Sequence, residues 1–145
     1  MSNSDGTILV TGGAGYIGSH VVKLLGEKGE NVVVLDDLSK GNREAVLYGE
    51  FVEGNTGDEA LVTSVLEKHN ITTVMHFAAH TIVPESVENP LKYYRNNTAA
   101  TRTLLECCPF HLSPQLLRMF DPLLLERILS FLCFLFFLSF LTLHK

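Results

Sequence analysis

An α/β domain wound around a parallel sheet is the fold this sequence predicts, and three observations carry the prediction. The stretch TGGAGYIGSH, residues 11–20, places four glycines between an apolar run and a helix-like segment. The run NVVVLD, residues 31–36, is apolar without alternation, so both of its faces should be covered. Strand-like and helix-like segments then alternate to about residue 107.

Each element follows from local pattern. Residues 7–11 read as a short buried strand bounded by Gly6 and Gly12. Residues 15–28 read as a helix with Ile17, Val21, Leu24 and Leu25 inward, stopped by Gly29. The second strand covers 31–36, and 37–49 is a loop with a short helix. A third strand covers 50–53, and a helix covers 58–69 with Leu61, Val65 and Leu66 inward. TTVMHF, 72–77, is the fourth strand, 78–90 a loop with a helical turn, and 91–107 a helix that Pro109 should end. The expected product is a partial Rossmann fold, about four parallel strands in the order 3-2-1-4 with helices on both faces.

Composition divides the chain near residue 107. All 11 glycines, and every Ala and Val, precede it. Residues 107–145 hold 12 of the Leu, 7 of the 9 Phe and all 3 Cys. Turns and close packing use the small residues that this stretch lacks. We therefore expect residues 1–107 to form a nucleotide-binding half-domain and 108–145 to be an aberrant Leu/Phe-rich tail of different origin, such as a change of reading frame. Residues 128–143 carry no charge, yet as a helix they would span about 24 Å against about 30 Å of hydrocarbon, so a membrane anchor is not favoured. A net charge of −5 without a basic stripe argues against nucleic acid as a partner. The first residues lack a cationic, apolar leader, which points to the cytoplasm. Cys107, Cys108 and Cys133 form neither a disulfide framework nor a metal spacing, and no metal site is expected.

Gly12, Gly15 and Gly18 have a steric logic. A strand must turn directly into a helix while a pyrophosphate sits at the helix N-terminus. The first glycine makes the turn, the second lets backbone N–H groups approach the phosphate, and the third lets the helix pack on the strand. Asp36 ends the second strand 18 residues beyond Gly18. A carboxylate there accepts from ribose hydroxyls and repels a 2′-phosphate, which favours NAD over NADP. No Lys-Ser/Thr follows the glycines, which argues against a nucleoside-triphosphate P-loop.

With these, VLDDLSKGNREAV, FVEGNTGDEAL, VMHFAAHTIVPESVENPLKYYRNN and TAATRTLLE together resemble the N-terminal part of the UDP-glucose 4-epimerase family, within the extended short-chain dehydrogenases/reductases. The resemblance covers residues 7 to about 107. It implies a bound NAD that takes hydride from the sugar C4 and returns it to the other face of a 4-keto sugar, interconverting UDP-glucose and UDP-galactose. Epimerases of other UDP-sugars share much of the pattern. By resemblance, Gly12, Gly15, Tyr16, Ile17 and Gly18 cradle the pyrophosphate, and Asp36 and Asp37 hold the adenosine ribose. Asn55 and Thr56 border the adenine; many family members have Asp at position 55. Phe77, Ala78 and Ala79 line the cofactor, with His80 and Thr81 completing the loop, and Thr81 stands where some relatives have Lys. Asn96 reaches the cofactor from the next helix. Glu85, Ser86 and Val87 lie near the UDP-sugar. The family is homodimeric, a state not expected of this chain alone.

The resemblance also defines an absence. The family's proton-taking base is a Tyr-x-x-x-Lys pair. Tyr16, Tyr48, Tyr93 and Tyr94 are followed at the fourth place by His20, Val52, Asn97 and Thr98. No catalytic residue is therefore assigned. The expectation is an NAD-binding module, or a fragment without function, that does not epimerise by itself.

Overall fold

A computed structural model of the chain describes residues 6–108. The proposed tail and its alternatives fall outside these, except at Cys108. Four strands, β1 (Thr7–Thr11), β2 (Val32–Asp36), β3 (Glu50–Glu53) and β4 (Ile71–His76), form one sheet in the order β3-β2-β1-β4. Every pairing is parallel, with Val10 beside Val34 and Met75, and Leu35 beside Val52. Helices α1 (Tyr16–Glu27) and α2 (Glu59–Lys68) make two of the crossovers, and a 3₁₀ turn (Arg43–Ala45) lies between β2 and β3. After β4 come α3 (Val83–Glu88), α4 (Pro90–Tyr93), a π-helical turn (Tyr94–Ala99) and α5 (Ala100–Cys107).

Both faces of the sheet are covered, as alternation along its strands requires. Val10, Val32 and Val34 pack with Val22 of α1 on one side, joined by Phe51 and Met75. Leu9, Val33 and Leu35 point to the other side and are 0–3% exposed. Leu61 of α2 and Leu35 flank the same glycine, Gly54. Burying a side chain such as Leu9 or Leu35 contributes roughly 1.5–3 kcal/mol.

Two expectations about helix phase need correction. Ile17 and Leu24 are 64% and 57% exposed, whereas Gly18 and Val22 are buried and Leu25 packs against the core. The inward stripe is 18, 22, 25, because Gly18 has to lie against the β1 turn. A Cβ built there would fall 2.2 Å from the Gly12 carbonyl oxygen. In α2, Val62 is buried alongside Val65 and Leu66, and Leu61 is only partly buried. The predicted helix over 91–107 is also not uniform. A wide turn over Tyr94–Ala99 divides it, starting one residue after Tyr93. α4 begins at Pro90, with the Asn89 side chain accepting from Lys92 N.

Candidate functional site

A groove opens at the C-terminal ends of the strands, where this topology places ligands. From the β1–α1 turn, Gly12 and Gly15 line it. From the end of β2 come Asp36, Asp37 and Lys40; from behind β3, Asn55 and Thr56. The loop after β4 adds Phe77, Ala78, Ala79 and His80, and the π-turn adds Asn96.

The glycine turn is shaped by close approach. Gly12 has φ +68, and a Cβ there would fall 2.5 Å from the Ala78 nitrogen. Gly12 therefore makes the turn and also lets the loops after β1 and β4 touch. Gly15 differs: its backbone is extended, and a Cβ would meet only the Gly12 carbonyl, at 3.3 Å. The helix it begins has no side-chain cap and no acidic residue in its first turn. Unsatisfied N–H groups and the positive end of the helix dipole thus face the groove, with only the Gly12 carbonyl near Gly15, an arrangement that fits a pyrophosphate.

Asp36 holds this turn in place. Its Oδ2 accepts from Ala14 N at 2.9 Å and its Oδ1 from Leu38 N at 2.9 Å, with the residue 8% exposed. A carboxylate has about four acceptor positions, so two remain for ribose hydroxyls. Asp37 is exposed and accepts from Ser39 N at 3.0 Å and from Asn55 Nδ2 at 2.8 Å. Partial burial pushes its carboxyl up. The Ser39 and Asn55 hydrogen bonds and the charge of His80 outweigh that, leaving its pKa below the usual value.

The π-turn ties the far wall together. Asn97 accepts from His80 N at 2.8 Å through Oδ1 and donates Nδ2 to His80 O at 2.9 Å. Asn96 donates to Asn97 Oδ1 at 3.0 Å while lining the groove. Beneath this, the Thr101 hydroxyl donates to Asn97 O at 2.7 Å, so it accepts from His76 Nε2 at 2.9 Å. His76 Nδ1 is then free to accept from the Thr11 hydroxyl at 2.6 Å. This order fixes the neutral tautomer, and burial lowers the His76 pKa in the same sense. Both ring nitrogens are used. Among the described residues no group of three His, Cys, Asp or Glu side chains could hold a metal.

Other assigned residues stand apart. Tyr16 and Ile17 are 84% and 64% exposed, and their side chains do not line the groove. Gly18 lies under the turn, and Thr81 is exposed outside the groove lining. Ser86 donates to Val83 O at 2.6 Å within α3, and Val87 is exposed. Glu85 is bound by Lys92 at 2.5 Å and by the Tyr93 hydroxyl at 2.8 Å. The single Tyr93 hydroxyl proton is shared between Glu85 and Ile82 O, the latter at 2.7 Å, and the hydroxyl accepts from Ile82 N at 3.1 Å. Burial and Glu85 push the Tyr93 hydroxyl up, so it is no ready base.

Glu85 gives a testable titration. Its hydrogen bonds to Lys92 and Tyr93 lower its pKa to about 2. A depressed carboxyl stabilises the fold fully above its unfolded value, about 4.3. That contribution is lost as pH falls through about 2. Carboxyl NMR should therefore show Glu85 ionised at pH 3, and Lys92→Met should return its midpoint toward the ordinary range. A wild-type midpoint near 4 would contradict the cluster.

Sequence reading did not single out Lys40 or Asn97. Lys40 follows the Asp pair within SKG, a loop with no periodicity to mark it. Asn97 was masked by its neighbour Asn96, and only the π-turn separates their directions.

A parallel sheet in this order, a glycine turn without a helix cap and a carboxylate ending β2 together define a Rossmann-type dinucleotide-binding domain. Residues 8–117 match the NAD dependent epimerase/dehydratase family, past the compositional break at 107, and the chain belongs to that family. It is 52% identical over 99 residues to UDP-glucose 4-epimerase of Halalkalibacterium halodurans, covering 68% of this chain and 30% of that one. It is 53% identical over 102 residues to the Azospirillum brasilense enzyme, covering 70% and 29%. The structure of UDP-glucose 4-epimerase from Brucella ovis in complex with NAD superposes with TM-score 0.69 at 50% identity, covering 71% of this chain and 32% of that one. The chain thus spans about a third of the length of the relatives it matches. No described helix is long and apolar enough to cross a membrane.

Proposed function

We propose that this chain binds NAD in the groove and corresponds to the coenzyme-holding first third of a UDP-glucose 4-epimerase. The glycine turn, with side-chain-free Gly15 at the start of an uncapped helix and Asp36 bonded to Ala14 N, is the observation that carries the reading. The Bifidobacterium longum relative, 36% identical, was crystallised with NAD+ and UDP. Gly12, Gly15 and the backbone of Tyr16, Ile17 and Gly18 would hold the pyrophosphate. Asp36 and Asp37 would hold the ribose, Asn55 and Thr56 the adenine edge, and Phe77, Ala78, Ala79 and Asn96 the nicotinamide half, with Thr81 assigned there by family position alone. Bound NAD supplies a hydride acceptor that can also return the hydride.

The chain's own residues bind and orient. Proton removal from a sugar hydroxyl needs a base with a lowered pKa, and none of the four tyrosines is followed by the partner Lys. We therefore propose that the chain alone does not epimerise. Glu85, Ser86 and Val87 are assigned to the UDP-sugar side by family position. A related protein from Campylobacter jejuni, 40% identical, is a UDP-Glc/GlcNAc 4-epimerase, which makes an epimerase of another UDP-sugar the second reading.

The test combines calorimetric titration of NAD into the full chain with an assay of UDP-galactose conversion in its presence. Binding without conversion is the expected result. Conversion would overturn the inactive assignment, and absence of binding would overturn the coenzyme assignment.

A further inference from the structure

We infer that Asp37, set in place by Asn55, is a second coenzyme-discriminating carboxylate, and that Asn55 acts as its positioning residue. This rests on the NAD reading above. Asp36 is nearly buried and each of its oxygens already accepts a backbone N–H. Asp37 is the exposed carboxylate at the adenosine end of the groove.

Asn55 fixes the direction of Asp37 across 18 residues of sequence. Its Oδ1 accepts from Gly57 N at 2.8 Å, so its Nδ2 is the atom turned to Asp37 Oδ2, also at 2.8 Å. The reverse amide orientation would set oxygen against carboxylate and N–H against N–H. An aspartate at 55 would keep the Gly57 bond and present oxygen to oxygen at Asp37. The amide therefore gives a charged Asp37 a donor where an aspartate would repel it. Ser39 N holds the other oxygen at 3.0 Å.

Lys40 and Arg95 border the same groove and would welcome a phosphate, whereas Lys92 beside them is paired with Glu85. A fixed Asp37 opposes that attraction. A 2′-hydroxyl can donate to it, whereas a 2′-phosphate brings like charge.

The test is calorimetric titration of the full chain with NAD and with NADP, for the unsubstituted protein, Asp37→Asn, Asn55→Ser and the double variant. Serine retains an oxygen for Gly57 N–H but offers Asp37 no amide donor. Asp37→Asn should move the NADP-to-NAD affinity ratio toward NADP by about tenfold. Asn55→Ser should move it the same way by about threefold, and the double variant should match Asp37→Asn. A brace between loops would weaken both coenzymes alike, so an unchanged ratio in Asn55→Ser overturns the positioning role. An unchanged ratio in Asp37→Asn overturns the discrimination. Failure of the unsubstituted chain to bind NAD would remove the reading on which the inference stands, and the inference with it.

Discussion

Gly15→Ala should abolish most NAD affinity while leaving the fold intact, and Gly18→Ala should damage the fold itself. The two positions stand three residues apart and fail for different reasons. At Gly15 the backbone is extended, with φ −76 and ψ 174, and the added methyl meets one atom at 3.3 Å. Any L-residue adopts that conformation, so stability should change by less than about 1 kcal/mol. The methyl does, however, fill the space where phosphate oxygens would meet the helix N-terminus. A steric cost of roughly 1–3 kcal/mol corresponds to a loss of about 5- to 150-fold in affinity. At Gly18 the methyl would fall 2.2 Å from a carbonyl oxygen and 2.8 Å from the Gly13 Cα. Backbone cannot rotate away as a side chain can. Helix propensity returns at most about 1 kcal/mol for Gly→Ala, less than the overpacking cost of about 1–3 kcal/mol expected even where side chains can yield. Urea unfolding of both variants, read beside NAD titration, checks the pair. Equal destabilisation by the two would contradict the division of roles.

Asp36→Ala should cost both stability and binding. The Ala14 and Leu38 N–H groups would lose their acceptor. A buried unsatisfied donor costs roughly 1–3 kcal/mol, and Ala14 is 3% exposed. The sum is on the order of 2–4 kcal/mol, a large share of a small domain's margin. Asp36→Asn should not rescue it fully, since an amide offers one oxygen to two donors on separate sides. Thermal melting of the two variants should rank wild type, Asn, then Ala. A wild-type melting point for Asp36→Ala would show that the turn does not depend on this carboxylate.

Much of the fold was legible because its signals are local. Short local runs marked β1 and β3 to the residue and placed β2 and β4 within one residue at either end. The non-alternating VVVLD run is buried at every position, as a covered parallel strand requires. Helix phase was less legible. A periodicity rule turns the large residues Ile17 and Leu24 inward, but the helix is rotated by the need to seat Gly18, a residue such a rule counts as nothing. The groove shows the same divide. Gly12, Gly15 and Asp36 announce themselves by spacing. The Asn55–Asp37 bond joins segments 18 residues apart, and the π-turn that aims Asn97 at His80 depends on tertiary hydrogen bonds. Neither carries a periodic signature. Glu85 was assigned from family position, and the structure shows its carboxylate already bound by Lys92 and Tyr93.

A working dinucleotide site in the groove at the strand ends should change how its backbone meets solvent when NAD binds. Hydrogen–deuterium exchange of the full chain, with and without NAD, tests it most directly. Added protection is expected at residues 12–18, 36–41, 54–57, 77–80 and 96–97, with little change along α2. Unchanged exchange at saturating NAD, or protection confined to other segments, would contradict it.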